Sequence, residues 1–490
     1  MFNYLKKPWV LAILVVVIAI SAFFIIPVEK RQYGLSETAM TTDYTGLLPE
    51  KIETIHEANN REQLVSIVRQ ANQDGKKISI AGVQHSQGGH TYYKDGIVID
   101  MKPFNKILNV DQKKKTVTVE AGALISDIQQ AVTKKGLALK VSQSLPIFSV
   151  GGSLSVNGHG RDIRNGSMAS TVQKMTVITP TGTLKTLTKK ANQQEMSYYL
   201  GGYGLFGIIV DVTLSLTDNE VYAYEPEEVA VSSYETYLKN VLADDSIAMH
   251  YARLSVDPEH FLNEMYVMNY KKTGRVAQNA ALKEETQIRL SKLGLDLGRQ
   301  GGKAETLFWN MQKDLFLKKT GKTITRNNAM RSESTFMEYT KKGSVEVLQE
   351  FFIPIDAYEE FVAHLKTWLP KDDQHDEVKL HNITLRIVSK DESTQLNYAR
   401  EPMIAFVLLI QHPSSETGIN QAKTYIQKWT DTALAHNGTY YLPYYPYQTT
   451  EQFKAAYPQA KHVLDYKLEQ DPNEVFVNHF YDNYLQKVAN

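Results

Sequence analysis

The sequence predicts a mixed α+β protein of several parts, preceded by one membrane-spanning helix. The length of 490 residues is too great for one ordinary core. Segments with helical spacing alternate with short β-branched runs after residue 54, and an unbroken apolar run stands near the N-terminus. Lysine plus arginine and aspartate plus glutamate both total 54, which does not favour nucleic acid as a partner. Because cysteine is absent, disulfides and cysteine-ligated metals are excluded, and we expect no metal site.

The apolar run from Trp9 to Ile26 is long enough to cross a bilayer. Its 18 residues would rise about 27 Å as a helix, close to the ~30 Å hydrocarbon core. We therefore predict an N-terminal tail at 1–8 and a single-pass transmembrane anchor at 9–27. A cleaved signal peptide is the alternative, although its apolar part is usually shorter. Basic pairs flank the run on both sides, so the side of the membrane on which the bulk of the protein lies stays open.

The segment from the anchor to residue 217 divides into a linker and a mixed domain. Residues 28–49 are polar and threonine-rich, which predicts the linker. Residues 50–217 predict a domain whose first helix is capped by Asn60. The predicted helices are 61–72 and 124–135, and the predicted strands are 78–80, 96–101, 107–110, 116–120, 172–178, 184–188 and 207–216.

After residue 217 the pattern predicts a second α+β domain at 218–436 and an aromatic-rich segment at 437–490. Its predicted strands are 345–353, 381–388 and 403–412, and its predicted helices are 357–368 and 417–436. Residues 271–331 hold fourteen Lys and Arg against five Asp and Glu. This basic region is either a solvated helical surface or a patch that faces anionic lipid or a phosphorylated substrate.

Three glycine-rich loops indicate a large anionic ligand. Residues 80–93 contain His85 and His90, residues 150–160 contain His159, and a G-x-G-x-x-G motif occupies 202–207. That motif does not indicate a nicotinamide site, because a β-run follows it where a Rossmann site has a helix. Loops that expose backbone N–H groups suit the phosphates of one dinucleotide. Tight turns without a ligand are the alternative.

The order of these motifs resembles the FAD-binding domain of the vanillyl-alcohol oxidase / p-cresol methylhydroxylase (PCMH-type) flavoprotein superfamily. The resemblance covers about residues 50–217, and it is greatest to the sugar-directed members, namely the alditol and aldonolactone oxidases and decaprenylphosphoryl-ribose oxidase. The motifs that carry it are Ala81–Ser86, Gly96–Met101, Val119–Ala123, Val150–Gly152, His159–Gly160, Gly201–Ile209, Tyr441–Tyr444, Phe453–Pro458 and Asp471–Phe476. The resemblance implies a two-subdomain FAD-binding domain, a substrate (cap) domain and a C-terminal segment that returns to the flavin.

The resemblance also implies which residues hold FAD. They are Gly82, Val83, Gln84, His85, Ser86, Gln87, Gly88, Gly122, Pro146, Ser149, Val150, Gly151, Gly152, Asn157, His159, Gly160, Arg161, Gly207, Ile208, Ile209 and Tyr441. His85 stands where several relatives attach the flavin covalently through a histidine. A non-covalent contact and an ordinary loop histidine are the alternatives. His90 has no counterpart and is expected to be structural.

Four residues are the candidates for catalysis: Arg386, Glu350, Tyr444 and His159. Strand alternation places Arg386 on one face with Thr384, where sugar-oxidising relatives have a cationic substrate contact. Arg386 or Glu350 could instead be a surface charge or part of an ion pair. Tyr444 departs from the family pattern, because several relatives present a lysine there, and this puts sugar-lactone chemistry in doubt. Packing of the tyrosine-rich segment is the alternative for Tyr444.

The implied function is a membrane-anchored FAD-dependent oxidoreductase that oxidises a hydroxyl-bearing carbon of a sugar, polyol, sugar lactone or lipid-linked sugar. The hydride would pass to flavin N5, and oxygen or a quinone would reoxidise the flavin. Membrane lipids are the other expected partner. An anchored flavin-binding or scaffold protein without turnover is the alternative. A nicotinamide-dependent reductase on the same fold is disfavoured, because no dinucleotide motif stands in the proper context.

Overall fold

The computed structural model of the protein describes residues 28–35, 40–332, 335–369 and 377–489. The predicted tail at 1–8 and anchor at 9–27 lie outside these ranges. Within them, no helix combines the length and the apolar character that a bilayer crossing requires.

The described part of residues 28–49 is folded against the rest of the chain, which corrects the prediction of a linker. Strand β1 (Val28–Lys30) pairs antiparallel with residues 339–341. Strands β2 (Gly34–Leu35), β3 (Met40–Thr42) and β4 (Glu50–Lys51) form a small antiparallel sheet. Asp43 is buried and accepts hydrogen bonds from the backbone N–H of Thr45 and Leu48 at 3.2 Å each. The polar composition of this segment therefore serves an internal turn.

A three-stranded parallel sheet precedes the first glycine-rich loop. Its strands β5 (Thr54–Glu57), β6 (Ile78–Ala81) and β7 (Ile97–Asp100) lie in the order β5-β7-β6. Helix α1 (Arg61–Gln73) connects the first two strands, and the Asn60 side chain caps it by accepting from Gln63 N at 2.9 Å. The predicted helix and the predicted strand at 78–80 are confirmed within one residue at each end.

A six-stranded antiparallel sheet carries the second and third glycine-rich loops. Five strands lie in the order β12-β11-β13-β9-β8, and β10 pairs with the end of β13. The strands are β8 (Ile107–Asp111), β9 (Thr116–Glu120), β10 (Leu137–Leu139), β11 (Val172–Ile178), β12 (Leu184–Thr188) and β13 (Ile208–Asp218). Because β13 begins directly after the G-x-G-x-x-G motif, the predicted strand there is confirmed and the Rossmann context is absent.

The remaining part of the described chain forms an eight-stranded antiparallel sheet in the order β17-β14-β16-β15-β20-β21-β19-β22. Its strands, together with the short β18 that pairs with β1, are β14 (Glu220–Glu228), β15 (Ile247–Leu254), β16 (Met265–Val276), β17 (Thr323–Thr325), β18 (Tyr339–Lys341), β19 (Ser344–Pro354), β20 (Lys379–Val388), β21 (Met403–Pro413) and β22 (Thr439–Tyr440). Along β20, His381, Ile383, Leu385 and Ile387 are buried in the core, and Asn382, Thr384 and Arg386 alternate with them. The predicted strands β19, β20 and β21 are confirmed.

Helices cover the sheets and supply the core. They are α2 (Ile125–Thr133), α3 (Val150–Ser155), α4 (Lys189–Tyr199), α5 (Tyr234–Ala243), α6 (Ile288–Gly298), α7 (Gly302–Leu317), α8 (Arg326–Ala329), α9 (Tyr358–Trp368), α10 (Glu416–Ala435), α11 (Thr450–Ala456) and α12 (Ala460–Gln470). Trp429 of α10 stacks on Phe351 of β19 with a centroid distance of 5.6 Å. The predicted helices at 357–368 and 417–436 are confirmed within one residue, and α2 is shorter than the predicted 124–135.

Two of the histidines buried in the eight-stranded sheet, His250 and His381, should make the fold less stable in mild acid. Burial lowers the pKa of His250 and of His381 to about 4. An unfolded histidine binds its proton near pH 6.5, so between about pH 6.5 and about pH 4 the unfolded state binds more protons than the folded state. The free energy of unfolding should therefore fall as the pH falls through this window, by about 1.4 kcal/mol per pH unit for each histidine.

Urea unfolding at pH 7 and at pH 5 measures this effect. His381→Gln should reduce the pH dependence by about one proton, because the titrating group is removed while a hydrogen bond to Gln411 stays available. His364→Gln, a change at an exposed histidine of α9, is the control and should not reduce it. An unchanged pH dependence in His381→Gln would contradict the prediction.

Candidate active site

A cavity of about 1160 Å³ lies between the glycine-rich loops and the eight-stranded sheet. Typical small-molecule pockets are about 300–1,000 Å³, so this one has room for a dinucleotide with part of a substrate. All four candidate catalytic residues line it. So do Gly82, Val83, Gln84, His85, Ser86, Gln87, Ser149, Gly151, Gly152, His159, Arg161, Gly207, Ile209 and Tyr441.

The first loop is held in an uncommon backbone conformation at Gln84, whose φ is 59°. The Gln84 side chain secures it, because Oε1 accepts from Leu35 N and Nε2 donates to Thr91 Oγ1, both at 3.1 Å. Three residues on, Gln87 N donates to Pro443 O at 2.9 Å. A strained residue at a cavity is typical of a ligand-binding loop whose shape the surrounding structure enforces. Here the loop is held by the C-terminal segment through Pro443 and by strand β2 through Leu35.

Three cavity-lining glycines have no room for a side chain. A Cβ on Gly82 would lie 2.3 Å from Ser149 Oγ, and one on Gly151 would lie 2.8 Å from the Cβ of Ala121. At Gly207 the φ is 134°, and a Cβ would lie 2.2 Å from the carbonyl oxygen of Ile178. The chain therefore presents main-chain atoms to the cavity at these positions, which suits contact with phosphates or a flat ring.

His85 lines the cavity with one ring nitrogen engaged and the other without a partner. Its Nε2 lies 3.0 Å from Glu338 Oε1, and Tyr33 OH donates to Glu338 Oε2 at 3.0 Å. Burial alone would raise the pKa of Glu338, but the hydrogen bonds from His85 and Tyr33 together with the nearby positive charges lower it. Since a carboxylate only accepts, Nε2 carries a hydrogen in this contact. The Nδ1 atom is buried and without a hydrogen-bond partner among the described residues.

Seven of the predicted FAD-binding residues do not line the cavity. A Cβ on Gly122 or on Gly160 would lie 2.1 Å from a neighbouring carbonyl oxygen. Asn157 has a φ of 49°, and its side chain donates to Asp391 at 2.9 Å. The others are Gly88, Pro146, Val150 and Ile208. Gly122, Gly160 and Asn157 therefore serve close packing and loop conformation.

Glu350 is the centre of the catalytic candidates. His159 Nε2 lies 2.7 Å from Glu350 Oε1, in an orientation that makes no hydrogen bond, and both side chains are buried. Tyr444 OH donates to Glu350 Oε2 at 3.2 Å. Burial lowers the pKa of Arg386, and the nearby Glu350 charge opposes that shift. Arg386 Nη2 donates to Ser144 Oγ at 3.0 Å. The structure thus brings all four candidates to one part of the cavity.

Several hydrogen-bonding atoms at this site have no partner among the described residues. They are Glu350 Oε1, His159 Nδ1, Arg386 Nε, Gln143 Oε1, Ser153 Oγ, His85 Nδ1 and His90 Nδ1, all of them buried and all on residues that line the cavity. Buried polar atoms are usually paired, so such a group indicates a ligand that completes the hydrogen bonds. A cavity of this volume with main-chain atoms exposed at its glycines fits FAD.

Arg161 also reaches the cavity, but its guanidinium is largely satisfied by protein. It donates to Ala329 O at 2.7 Å and to Ser332 Oγ, and it lies 4.8 Å from the centroid of the Tyr251 ring. His90 stacks on Phe480, and burial lowers its pKa to about 4. Its Nε2 lies 3.1 Å from Leu442 O, where the C-terminal segment reaches the first loop.

The sequence interpretation missed three arginines of the cavity, Arg253, Arg299 and Arg331. Arg253 lies on β15, a strand that was not predicted, and Arg299 directly follows α6 in the basic region. No alternating pattern could have located Arg253, because every other residue of β15 is buried. No local pattern distinguishes Arg299 from the solvated lysines around it.

Residues 53–188 match the family model described as an FAD binding domain. The chain is 31% identical to L-gulonolactone oxidase of Bos taurus over 153 residues, which is 31% of this chain and 34% of the relative. It is 25% identical to D-lactate dehydrogenase of Anaerostipes hadrus over 43% of this chain and 47% of the relative. It is 23% identical to decaprenylphosphoryl-beta-D-ribose oxidase of Mycolicibacterium smegmatis over 68% of both chains. The chain thus spans about a third to a half of the first two relatives.

The fold, the cavity and the family match together define a flavin-binding protein. Its cofactor is FAD. The relatives are PCMH-type FAD flavoproteins, and this chain shares their FAD binding domain.

Proposed function

We propose that the protein is an FAD-dependent oxidoreductase that oxidises a hydroxyl-bearing carbon of a sugar, polyol, sugar lactone or lipid-linked sugar. The observation that carries this proposal is the contact of His159 and Glu350 at 2.7 Å beside Arg386 and Tyr444 in the cavity. Two of the relatives are named as oxidases and one as a dehydrogenase, which supports oxidoreductase activity.

Bound FAD supplies the acceptor for the hydride that leaves the substrate carbon. The chain must then take the proton of the substrate hydroxyl. We assign this step to Glu350 Oε1, a buried carboxylate oxygen without a hydrogen-bond partner among the described residues. His159 Nε2 lies close enough to receive the proton from it. Arg386 orients the substrate oxygen and stabilises the negative charge that develops there.

Glu350→Gln should slow reduction of the flavin by substrate without loss of the flavin. The amide is nearly isosteric but cannot accept the proton, so we expect a decrease of about 10²- to 10⁴-fold. The measurement is anaerobic stopped-flow bleaching of the flavin, first with a panel of polyols, aldonolactones and sugar phosphates. Reoxidation by dioxygen and by a soluble quinone then identifies the preferred acceptor.

Glu359→Gln, a change at an exposed carboxylate of α9, is the matched control and should react at the unmodified rate. Reduction of Glu350→Gln at the unmodified rate would exclude Glu350 as the proton acceptor. If no hydroxyl compound bleaches the flavin while dithionite does, the protein is a flavin-binding protein without this turnover.

We also propose that His85 Nδ1 forms a covalent bond to the flavin ring methyl carbon. The bond exchanges one methyl C–H for C–N, and it releases two electrons and two protons. The electrons pass to dioxygen as the oxidant. One proton comes from the methyl group and the other from His85 Nε2, which Glu338 is positioned to take at 3.0 Å. The unpaired Nδ1 atom supports this proposal.

His85→Ala should remove all flavin colour that precipitates with the protein in acid, while flavin still binds before precipitation. Glu338→Gln should slow formation of the acid-stable fraction, because Nε2 loses its proton acceptor. The readout is the ratio of acid-precipitated flavin to total flavin. His90→Gln changes the other histidine of the same loop and should keep the acid-stable fraction. Acid-stable flavin in His85→Ala would refute the link.

We further propose that the protein is anchored to a membrane by residues 9–27 and rests on it with helix α7. Val28 packs against Leu293 and Leu297 of α6, so the chain enters the structure beside these helices. On α7, Leu307, Met311 and Leu315 recur at four-residue spacing and are 70%, 51% and 56% exposed. Residues 302–322 carry five lysines and two carboxylates. Such a face suits the boundary of an anionic bilayer.

Because the chain has no cysteine, single cysteines can report the contact. A polarity-sensitive dye on Leu307→Cys of the full chain should shift to the blue when the protein is moved from detergent to vesicles with anionic lipid. A dye on Lys114→Cys, in the distant turn between β8 and β9, should not shift. No shift at Leu307→Cys would exclude contact of α7 with the bilayer, and removal of the chain from vesicles by high salt alone would exclude the anchor.

A further inference from the structure

Two arginines of the cavity, the buried Arg299 and the partly buried Arg253, are not balanced by carboxylates of their own among the described residues. We infer that Arg253 and Arg299 form a binding site for a phosphoryl group carried by the substrate. This inference rests on the proposed function, because the two arginines share the cavity with the catalytic candidates.

Both guanidiniums have donors that the protein leaves unused. Arg253 Nη1 donates to Thr384 Oγ1 at 3.2 Å and Nη2 donates to Gln312 Oε1 at 3.1 Å, but its buried Nε has no partner. Arg299 is 8% exposed, and its Nε and Nη1 are buried without a partner among the described residues. A buried donor left unpaired costs about 1–3 kcal/mol, and more when it is charged.

The nearest carboxylates are already shared with other cations. Lys292 Nζ lies 2.5 Å from Glu346 Oε1 and 2.8 Å from Asp296 Oδ1. Arg31 Nη2 lies 3.8 Å from Glu346 Oε2. Arg299, which is buried, and Arg253, which is partly buried, thus add two positive charges to a group in which two cations already share two carboxylates. Glu305 also acts on Arg299, but burial still lowers the pKa of that arginine. An anionic ligand would balance the excess charge.

The site faces the substrate rather than the FAD diphosphate. Neither arginine lies in the matched FAD binding domain at 53–188. Thr384, which fixes Arg253, precedes Arg386 by two residues on β20 and also lines the cavity. Residues two apart on a strand are separated by about 7 Å, close to the length of a sugar ring with one substituent. A substrate could therefore place its hydroxyl at Glu350 and its phosphoryl group at these arginines.

The chemistry of the site favours a phosphoryl group over a carboxylate. Each guanidinium presents several N–H donors in a fixed plane, and two of them together match the three or more oxygens of a phosphate. The phosphoryl group could belong to a soluble sugar phosphate or to a lipid-linked sugar. Phe308, Met311 and Leu315 line the same cavity and would accommodate the chain of the latter.

The test is thermal unfolding of the FAD-loaded full chain in sodium phosphate and in sodium chloride at equal ionic strength. FAD occupies its own phosphate site in this sample, so a response to phosphate reports a second one. Phosphate should raise Tm by a few degrees, as a ligand that binds only the folded state does. Arg253→Gln and Arg299→Gln should each lose this rise, and the exposed Arg275→Gln should keep it.

The Tm of Arg299→Gln in chloride separates binding from structure. Removal of an unpaired buried charge should leave Tm unchanged or raise it, whereas loss of a structural contact would lower it in both salts. Two outcomes overturn the inference: equal stability of the unmodified protein in the two salts, or a full phosphate response in both arginine variants.

Methyl phosphate and dodecyl phosphate, each below its micellar concentration, identify the source of the group. A stronger response to dodecyl phosphate that needs Arg299 supports a lipid-linked substrate, and an equal arginine-dependent response supports a soluble sugar phosphate. A response to either that persists in Arg299→Gln overturns the assignment. Flavin bleaching by neutral polyols on the same samples is independent of this site. The oxidoreductase proposal can therefore fail while the phosphate response stands, and the reverse also holds.

Discussion

The candidate site depends on backbone pairing between the two ends of the described chain. Ile78 N donates to Val475 O at 2.6 Å, and Val477 N donates back to Ile78 O at 3.0 Å. Further along, Gln87 N donates to Pro443 O at 2.9 Å. Strand β6 and its loop are thus fixed to a segment almost 400 positions away. Tyr441 N in turn donates to Glu350 O at 2.9 Å, which joins the same segment to β19. The first glycine-rich loop, which lines the cavity, and the strand that carries Glu350 are therefore both held by the C-terminal segment.

The charged side chains of the cavity are shielded from solvent by this arrangement, and this shielding determines how strongly they act on a ligand. Arg386, Arg253 and Arg299 are held on the side of the eight-stranded sheet, and Glu350 lies between His159 and Tyr444. A charge in a low-dielectric cavity interacts strongly with whatever enters. Burial that raises the pKa of Tyr444 well above its usual range keeps its phenol protonated and able to donate to Glu350. The arginines and the protonated Tyr444 are hydrogen-bond donors, so the site suits a substrate with oxygen acceptors and negative charge.

Local pattern was sufficient for much of the fold but not for the pairing of distant segments. Strand β11 and helix α1 carry clear periodicity and caps, so the sequence places them within a residue. Strand β16 was missed because its second half, from Lys271, is exposed and charged while its first half is buried. The segment around Tyr44 was read as a linker because its polar residues satisfy internal bonds that only the folded chain reveals. The resemblance located His85 and Glu350, whereas no motif brings Arg299 to them.

The basic region shows why charge along a chain is a poor guide to its exposure. Arg326 is buried, and it donates to Leu139 O at 3.0 Å and to Tyr222 OH at 2.8 Å while it pairs with Asp162 at 2.5 Å. That arginine connects the six-stranded sheet to the eight-stranded sheet. Lys292 is buried with two carboxylates, and Arg299 is buried with unsatisfied donors. The basic region therefore contains an arginine that joins two sheets, Arg326, a lysine that is paired with two carboxylates, Lys292, and an arginine whose donors are only partly paired, Arg299. An anion bound beside Arg299 would compensate a buried charge whose Nε and Nη1 have no hydrogen-bond partner among the described residues.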